Sequence, residues 1–238
     1  MIIINTNTLT TEQYEEVQNL IKPGTPVFLE ADMNYYEEFP CFYFLYQDNK
    51  LSAFLSVFIP HEEECEIYAY TDPSCRHKGY FSKLLKKAHK NLKKYKIDIT
   101  LLVSENMDNS EYLNLYSSDY ILTYDLTSHP VPSDTLILKK SINQNVIIYE
   151  TYKNKIMVGS SKCAPTGNAH MIYEFEILEA ERGKGYGRET LLLIIKDLIG
   201  SGITDIVLHI YGNNIIAKNM YLNNGFKITR QIDYWRLS

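Results

Sequence analysis

Two stretches of the chain share one plan. YTDPSCRHKGYFSKLLKKA, residues 70–88, and ILEAERGKGYGRETLLLII, residues 177–195, each carry a strand end, an arginine, a Lys-Gly-Tyr turn and an apolar helix. A repeat recurring over so long a separation means duplicated domains instead of a solenoid of short units. The length of 238 residues then divides into halves of about 100 to 130 residues, each large enough to bury its own core.

The order of elements recurs with the motif. In the first half an opening strand, MIII, precedes a helix from Thr10 to Ile21 with Thr10 and Gln13 placed as a capping box, ended by Lys22, Pro23 and Gly24. CFYFLY, LSAFLSVFI and CEIYAYT read as strands, the first two joined as a hairpin around Gln47 to Lys50. A helix from Gly79 to about Tyr95 follows, then strand IDITLLV, a short helix NSEYLNLYSS and strand YILTYDL. Pro130 and Pro132, within SHPVPSD, mark the boundary. Beyond it come strands TLILKK, NVIIYET, KIMVGSSKC and HMIYEFEIL, a glycine-rich turn, a helix over 187–199, strand TDIVLHIY, helix IIAKNMYLNN and strand FKITRQIDYW. The second half begins directly with strands and lacks a counterpart of the Thr10 helix.

Composition narrows the class of protein. The hydrophobic fraction is 45% and the charged fraction 22%, and no apolar run approaches the roughly 20 residues that span a bilayer, so the chain does not read as a membrane protein. MIIINTNTLTTEQ lacks the basic region and longer apolar core of a secretory signal, which points to the cytoplasm. Cys41, Cys65, Cys75 and Cys163 show no paired C-x-x-C spacing, so reduced thiols are expected, with no zinc site or disulfide framework. The formal charge of −5 argues against a dedicated nucleic-acid binder and for a cationic small substrate. In the lysine-rich segment from Lys83 to Lys94, Leu84, Leu85, Ala88 and Leu92 recur at helical spacing, as in a solvated helix face.

The chemistry is written in the turn. Glycine lets a ligand approach the main chain without meeting a Cβ, and successive free amides at a helix start converge on one point. The helix dipole adds partial positive charge, so such a junction binds phosphate groups. Gly183, Gly185 and Gly187 are therefore expected to cradle an anion, with Arg182, Lys184 and Arg188 nearby for charge. A dinucleotide fingerprint or a P-loop has a different glycine spacing, and neither is present. Downstream, after one strand, stands Asn214-x-x-Ala217-x-x-x-Tyr221-x-x-x-Gly225-Phe226 on a helix that ends in a glycine turn.

With both motifs in place, the chain resembles the GNAT superfamily of N-acetyltransferases, whose acetyl-CoA signature is R/Q-x-x-G-x-G/A followed by N-x-x-A-x-x-x-Y-x-x-x-G-F. RGKGYG and NIIAKNMYLNNGF match every fixed position. The resemblance implies an α/β (α+β) fold of two tandem GNAT-like domains, each a mixed, mostly antiparallel sheet flanked by helices. Residues 1–130 would form the first and 131–238 the second. In the first, Phe81 occupies the third motif position, Tyr116 is offset by one residue from the place matching Tyr221, and Asp119-Tyr120 replaces the Gly-Phe pair. These departures imply a supporting first domain and a catalytic second one.

What the resemblance implies further is direct transfer of an acetyl group from acetyl-CoA to a primary amine of a small molecule or peptide. No metal, nucleic acid or membrane takes part. Acetyl-CoA would be held by Ile177, Leu178, Arg182, Gly183, Lys184, Gly185, Tyr186, Gly187, Arg188, Asn214, Ala217 and Tyr221, with the backbone amides of Ile177 and Leu178 polarising the thioester carbonyl. An amine must lose a proton before attack, and the leaving thiolate must gain one. Tyr221 is the general acid by this resemblance. Strand alternation puts Glu174 and Glu176 on one face of MIYEFEIL, where either serves as proton acceptor or cation anchor. His209 stands as an alternative base or as an ordinary packed histidine. Asn214 either bonds the pantetheine or caps its helix. The rival readings are a non-catalytic CoA-binding module of the same fold and a nucleotide-binding protein, the latter lacking a metal-binding carboxylate at a matching place. Acceptor identity and oligomeric state stay open.

Overall fold

The structure, a computed structural model, describes the whole chain apart from residues 23, 24, 26, 98, 106–113, 129, 134 and 238. It divides into two compact units, Met1–Ser117 with Ile232–Ser238, and Ser118–Gln231.

In the first unit the sheet order is β1 (Ile2–Thr6), β2 (Phe42–Gln47), β3 (Lys50–His61), β4 (Glu64–Thr71), β5 (Ile99–Glu105) and the end of β12 (Phe226–Leu237). The β2–β3 turn has Asp48 and Asn49 at φ 51° and 60°, the left-handed pair that matches the twist of a two-residue hairpin. Helix α1 (Thr11–Leu20) begins on the expected capping box: Thr10 Oγ1 accepts from the Gln13 amide at 3.2 Å and Gln13 Oε1 from the Thr10 amide at 3.1 Å. Helix α2 (Tyr80–Leu92) buries Leu84, Ala88 and Leu92 of the stripe read from the sequence, together with Tyr80, holds Leu85 partly buried and leaves its lysines outward. Asn91 of α2 donates to the Tyr43 hydroxyl, while Tyr46 donates to Glu16 of α1. Positions 43 and 46 of one strand point to opposite faces, so the two helices cover the two faces of this sheet.

The second unit orders its strands as the start of β12, β6 (Asn114–Tyr124), β11 (Ile206–Tyr211), β10 (Ala169–Ile177), β9 (Ile156–Thr166), β8 (Val146–Lys153) and β7 (Ile137–Asn143). Helices α3 (Tyr186–Gly200) and α4 (Ile215–Leu222) pack on it. Leu191, Leu192, Ile194, Ile195 and Leu198 of α3 join Ile172, Leu208, Ile210 and Tyr221 in one core. All neighbouring pairs with a determined register are antiparallel in this sheet except β10 with β11.

The strands that close each repeat are exchanged. From Ser118 onward β6 lies in the second unit, where Ile121 stands opposite His209 of β11. The last strand ends in the first unit, where Ile232–Leu237 runs antiparallel to β5 and Trp235 Nε1 donates to Ser104 Oγ at 2.8 Å. One expectation is corrected. Residues 114–118, assigned to a short helix, open strand β6, and residues 109–113 of the same segment lie outside the described residues. The stretch from Tyr116 to Tyr124 is rich in aromatic and β-branched side chains, and the buried Leu122 and Tyr124 alternate with half-exposed neighbours as a strand requires.

Trp235 is the single tryptophan of the chain and is buried in the first unit. Trp235→Ala is expected to destabilise that unit by about 3–5 kcal/mol, read as a lowered urea midpoint by circular dichroism. An unchanged midpoint would contradict the strand exchange.

Candidate functional site

The site begins with a fault in a ladder. β10 pairs with β9 in register from Ala169↔Thr166 to Tyr173↔Lys162, then shifts, resuming at Glu176↔Ser160. Within the bulge Glu174 has φ 46°, a conformation that side chains other than glycine rarely adopt. The parallel pairing of β10 with β11 extends over three residue pairs, His170↔Ile206 to Ile172↔Leu208. Beyond them lies a cleft of about 820 Å³, walled by β10, β11, the glycine turn and α4.

Beyond the bulge the ladder turns one amide outward. The Leu178 amide donates to the Val158 carbonyl at 2.9 Å. Bonded and non-bonded pairs alternate in an antiparallel ladder, so at the next pair, Ile177↔Gly159, the Ile177 N–H points away from β9, toward the cleft. Gly159 is required there: a Cβ would lie 2.5 Å from Ile177 Cδ1 and 2.7 Å from the Glu176 carbonyl oxygen.

Strand β10 leads into the turn that starts α3. Gly185, the N-cap, has φ 81° and Gly183 has φ 76°, left-handed values that explain why glycine stands at both. The first bond of α3 runs from the Glu189 amide to the Gly185 carbonyl, which leaves the Tyr186, Gly187 and Arg188 amides without an intrahelical acceptor. At Gly187 a Cβ would come 3.2 Å from Met220 Sδ, so the helix start fits closely against α4. Arg182 Nε donates to the Ile177 carbonyl at 2.9 Å and pins the strand end to the turn. Lys184 pairs with Glu181 at 3.0 Å, and Arg188 lines the cleft.

Glu189, on the first turn of α3, is 4% exposed and accepts backbone bonds from Ser133 at 3.1 Å and Thr135 at 2.7 Å. The segment between the repeats is thus fastened to the helix that carries the turn. Glu189→Ala orphans two amides and is expected to lower stability by roughly 1–3 kcal/mol for each, checked by thermal unfolding.

Tyr221 on α4 is buried against Phe175 and Phe226, with ring centroids 6.0 and 5.8 Å away. Burial pushes its phenol up to about 12, and its hydroxyl has no hydrogen-bond partner among the described residues. Asn214 Oδ1 accepts the Ala217 amide at 3.2 Å, so its side chain caps α4. Glu174 and Glu176 line the cleft, each exposed and paired: Glu174 with Lys162 at 2.5 Å, Glu176 with Arg182 at 3.7 Å. Of the residues singled out in the sequence, Ile177, Arg182, Gly183, Gly185, Gly187, Arg188, Asn214, Ala217, Tyr221, Glu174, Glu176 and His209 line the cleft; Leu178, Lys184 and Tyr186 lie outside its lining.

Sequence reasoning missed Phe175, Met220, Gly159 and Asp119. The carboxylate of Asp119 is 3.3 Å from His209 Nε2. Among the described residues no cluster of three or more His, Cys, Asp or Glu side chains could hold a metal ion, and no helix is long and apolar enough to cross a membrane.

Known proteins resemble this chain. The acetyltransferase (GNAT) family pattern matches residues 10–120 and again 110–226. An uncharacterized N-acetyltransferase, YycN, of Bacillus subtilis (strain 168) is 34% identical over 58 residues, 24% of this chain and 37% of that one. Among solved structures, a GCN5-related N-acetyltransferase from Sphaerobacter thermophilus superposes with a TM-score of 0.72 at 10% identity, covering 99% of this chain and 95% of the other. A tandem GNAT protein from the clavulanic acid biosynthesis pathway does so at 0.61 and 10%, covering 82% of each. The chain therefore belongs to the acetyltransferase (GNAT) family, in tandem form. It is an acyltransferase.

Proposed function

We propose that the second unit binds acetyl-CoA and transfers its acetyl group directly to a primary amine of a small molecule or peptide in the cytoplasm. The observation that carries this reading is the union of outward amides at the mouth of α3, beside one cleft, with a buried phenol in that cleft whose hydroxyl has no hydrogen-bond partner among the described residues. The left-handed glycines leave no Cβ in the way: at Gly183 and Gly185 an added Cβ would meet nothing within 4 Å. Diphosphate oxygens would sit on these amides, with Arg188 supplying charge. Bound there, the thioester supplies an activated acetyl carbon.

The chain's own groups do the rest. The Ile177 N–H polarises the thioester carbonyl where negative charge develops. Tyr221, protonated at neutral pH as any phenol is and held so more firmly by burial, gives a proton to the departing sulfur. Glu174 and Glu176 line the acceptor side with negative charge and draw in the ammonium form of the amine. Buried, unpaired Cys41, Cys65 and Cys163 are in keeping with a reducing compartment.

The first repeat supports the second in this reading. Its turn keeps the shape, with Gly79 at φ 72° and Arg76 Nε donating to the Thr71 carbonyl at 3.5 Å, as Arg182 does to Ile177. Yet β4 pairs with β3 in unbroken register from Thr71↔Ala53 to Glu66↔Phe58, without the bulge of β10, and Phe81 stands where Gly187 gives close approach.

Gly185→Glu sets a side chain at a left-handed position and a carboxylate at the anion seat. Acetyl-CoA affinity by calorimetry is expected to fall at least about 100-fold, a loss of roughly 2.7 kcal/mol. Gly79→Glu in the first repeat is expected to leave it unchanged. Equal effects of the two would remove the assignment of roles. Tyr221→Phe is expected to lower kcat about 100-fold with acetyl-CoA affinity intact, followed by thiol release; full turnover would exclude Tyr221 as the acid, and tight binding without turnover in the wild type would favour a CoA-binding module.

A further inference from the structure

Resting on the transfer reading above, we infer that His209, held by Asp119, takes the proton from the acceptor amine. The two faces of the sheet separate the two proton transfers. Phe175 packs edge-on against Tyr221, and Leu208 and Ile210 lie in the core with α3, so these side chains point to the helix face. Alternation along β10 and β11 turns Glu176 and His209 to the opposite face, and all five line the cleft. The phenol thus stands on one side of the opening and the imidazole on the other.

The imidazole is anchored as a base needs to be. Asp119 is 5% exposed and lies on β6, where Tyr211 pairs opposite it. One of its oxygens is 3.3 Å from His209 Nε2 and the other accepts the Gly212 amide at 3.3 Å, so a backbone bond fixes the carboxylate. Tyr211 packs across the imidazole with ring centroids 5.5 Å apart. An Nε2–H bonded to Asp119 leaves the Nδ1 lone pair to accept a proton. Glu174, Glu176 and Glu181, the glutamates that line the cleft, each already pair with a cation, which leaves deprotonation of the ammonium to His209.

The protons balance. The ammonium gives one proton to His209 Nδ1, which passes it to water. The free amine nitrogen forms its bond to the acetyl carbon as the carbon–sulfur bond breaks. Tyr221 protonates the sulfur and regains a proton from the acylated nitrogen.

Two small amines of similar size test this: ethylamine, protonated at pH 7, and 2,2,2-trifluoroethylamine, neutral at that pH. His209→Ala is expected to slow thiol release with ethylamine about 100-fold, to change the rate with trifluoroethylamine by less than about 3-fold, and to recover with ethylamine when free imidazole is added. Asp119→Asn, which leaves the ring unanchored, is expected to lower the ethylamine rate selectively in the same way. Acetyl-CoA affinity and thermal unfolding, measured on both variants, should match the wild type. Equal losses with both amines, or wild-type rates with ethylamine, would overturn the role of His209 and leave the transferase reading standing. A wild type that binds acetyl-CoA and acetylates neither amine would overturn both.

Discussion

Two strands hydrogen-bonded along their whole length leave no space between them, and the cleft exists because β10 abandons β11 after three residue pairs. The departure is set on the other side of β10, where the ladder with β9 slips between Tyr173 and Glu176 and Glu174 takes a left-handed backbone. Gly159 makes the slip possible, since a side chain there would collide with Ile177. The same strip of β9 is tied to the helix layer: Thr151 Oγ1 is 3.2 Å from the Gly159 carbonyl and 3.0 Å from Thr190 Oγ1 of α3, all three residues being buried. The helix that presents its amides and the strand end that presents the Ile177 N–H are thereby held by one set of buried hydroxyls.

The duplicated turn has a structural role of its own. In both repeats an arginine donates to the last carbonyl of a strand and a left-handed glycine opens the helix, and these bonds stabilise the strand-to-helix corner whether or not a ligand is present. Selection for folding alone is enough to retain them. The bulge does nothing for the corner, and β4 lacks it.

Local devices were legible in the sequence. The Thr10–Gln13 capping box, the hairpin around Gln47 to Lys50 and the glycine turn each depend on a few adjacent residues, and each stands where pattern reasoning puts it. Long-range devices were not. No residue type announces the slip of β10, and strict alternation would have carried the Glu174–Glu176 face through it unchanged. Asp119 was legible only as a departure from the first repeat's second motif, because its partner on β11 is 90 positions away in the chain and adjacent only through the pairing of β6 with β11. Residues 114–118 misled for a related reason: their strand is stabilised by a neighbour from the other repeat.

The exchanged closing strands bear on synthesis. The first repeat leaves the ribosome first, yet the strand that flanks β5 and buries Trp235 is made only after the rest of the second repeat. Until then, β5 presents an unsatisfied edge of the kind that invites wrong partners. The high sequence separation of that final pairing also predicts slow closure. Nascent chains of this protein would therefore be customers for a chaperone until β12 has been made, and any delay in its arrival would burden the step that completes the domain made first.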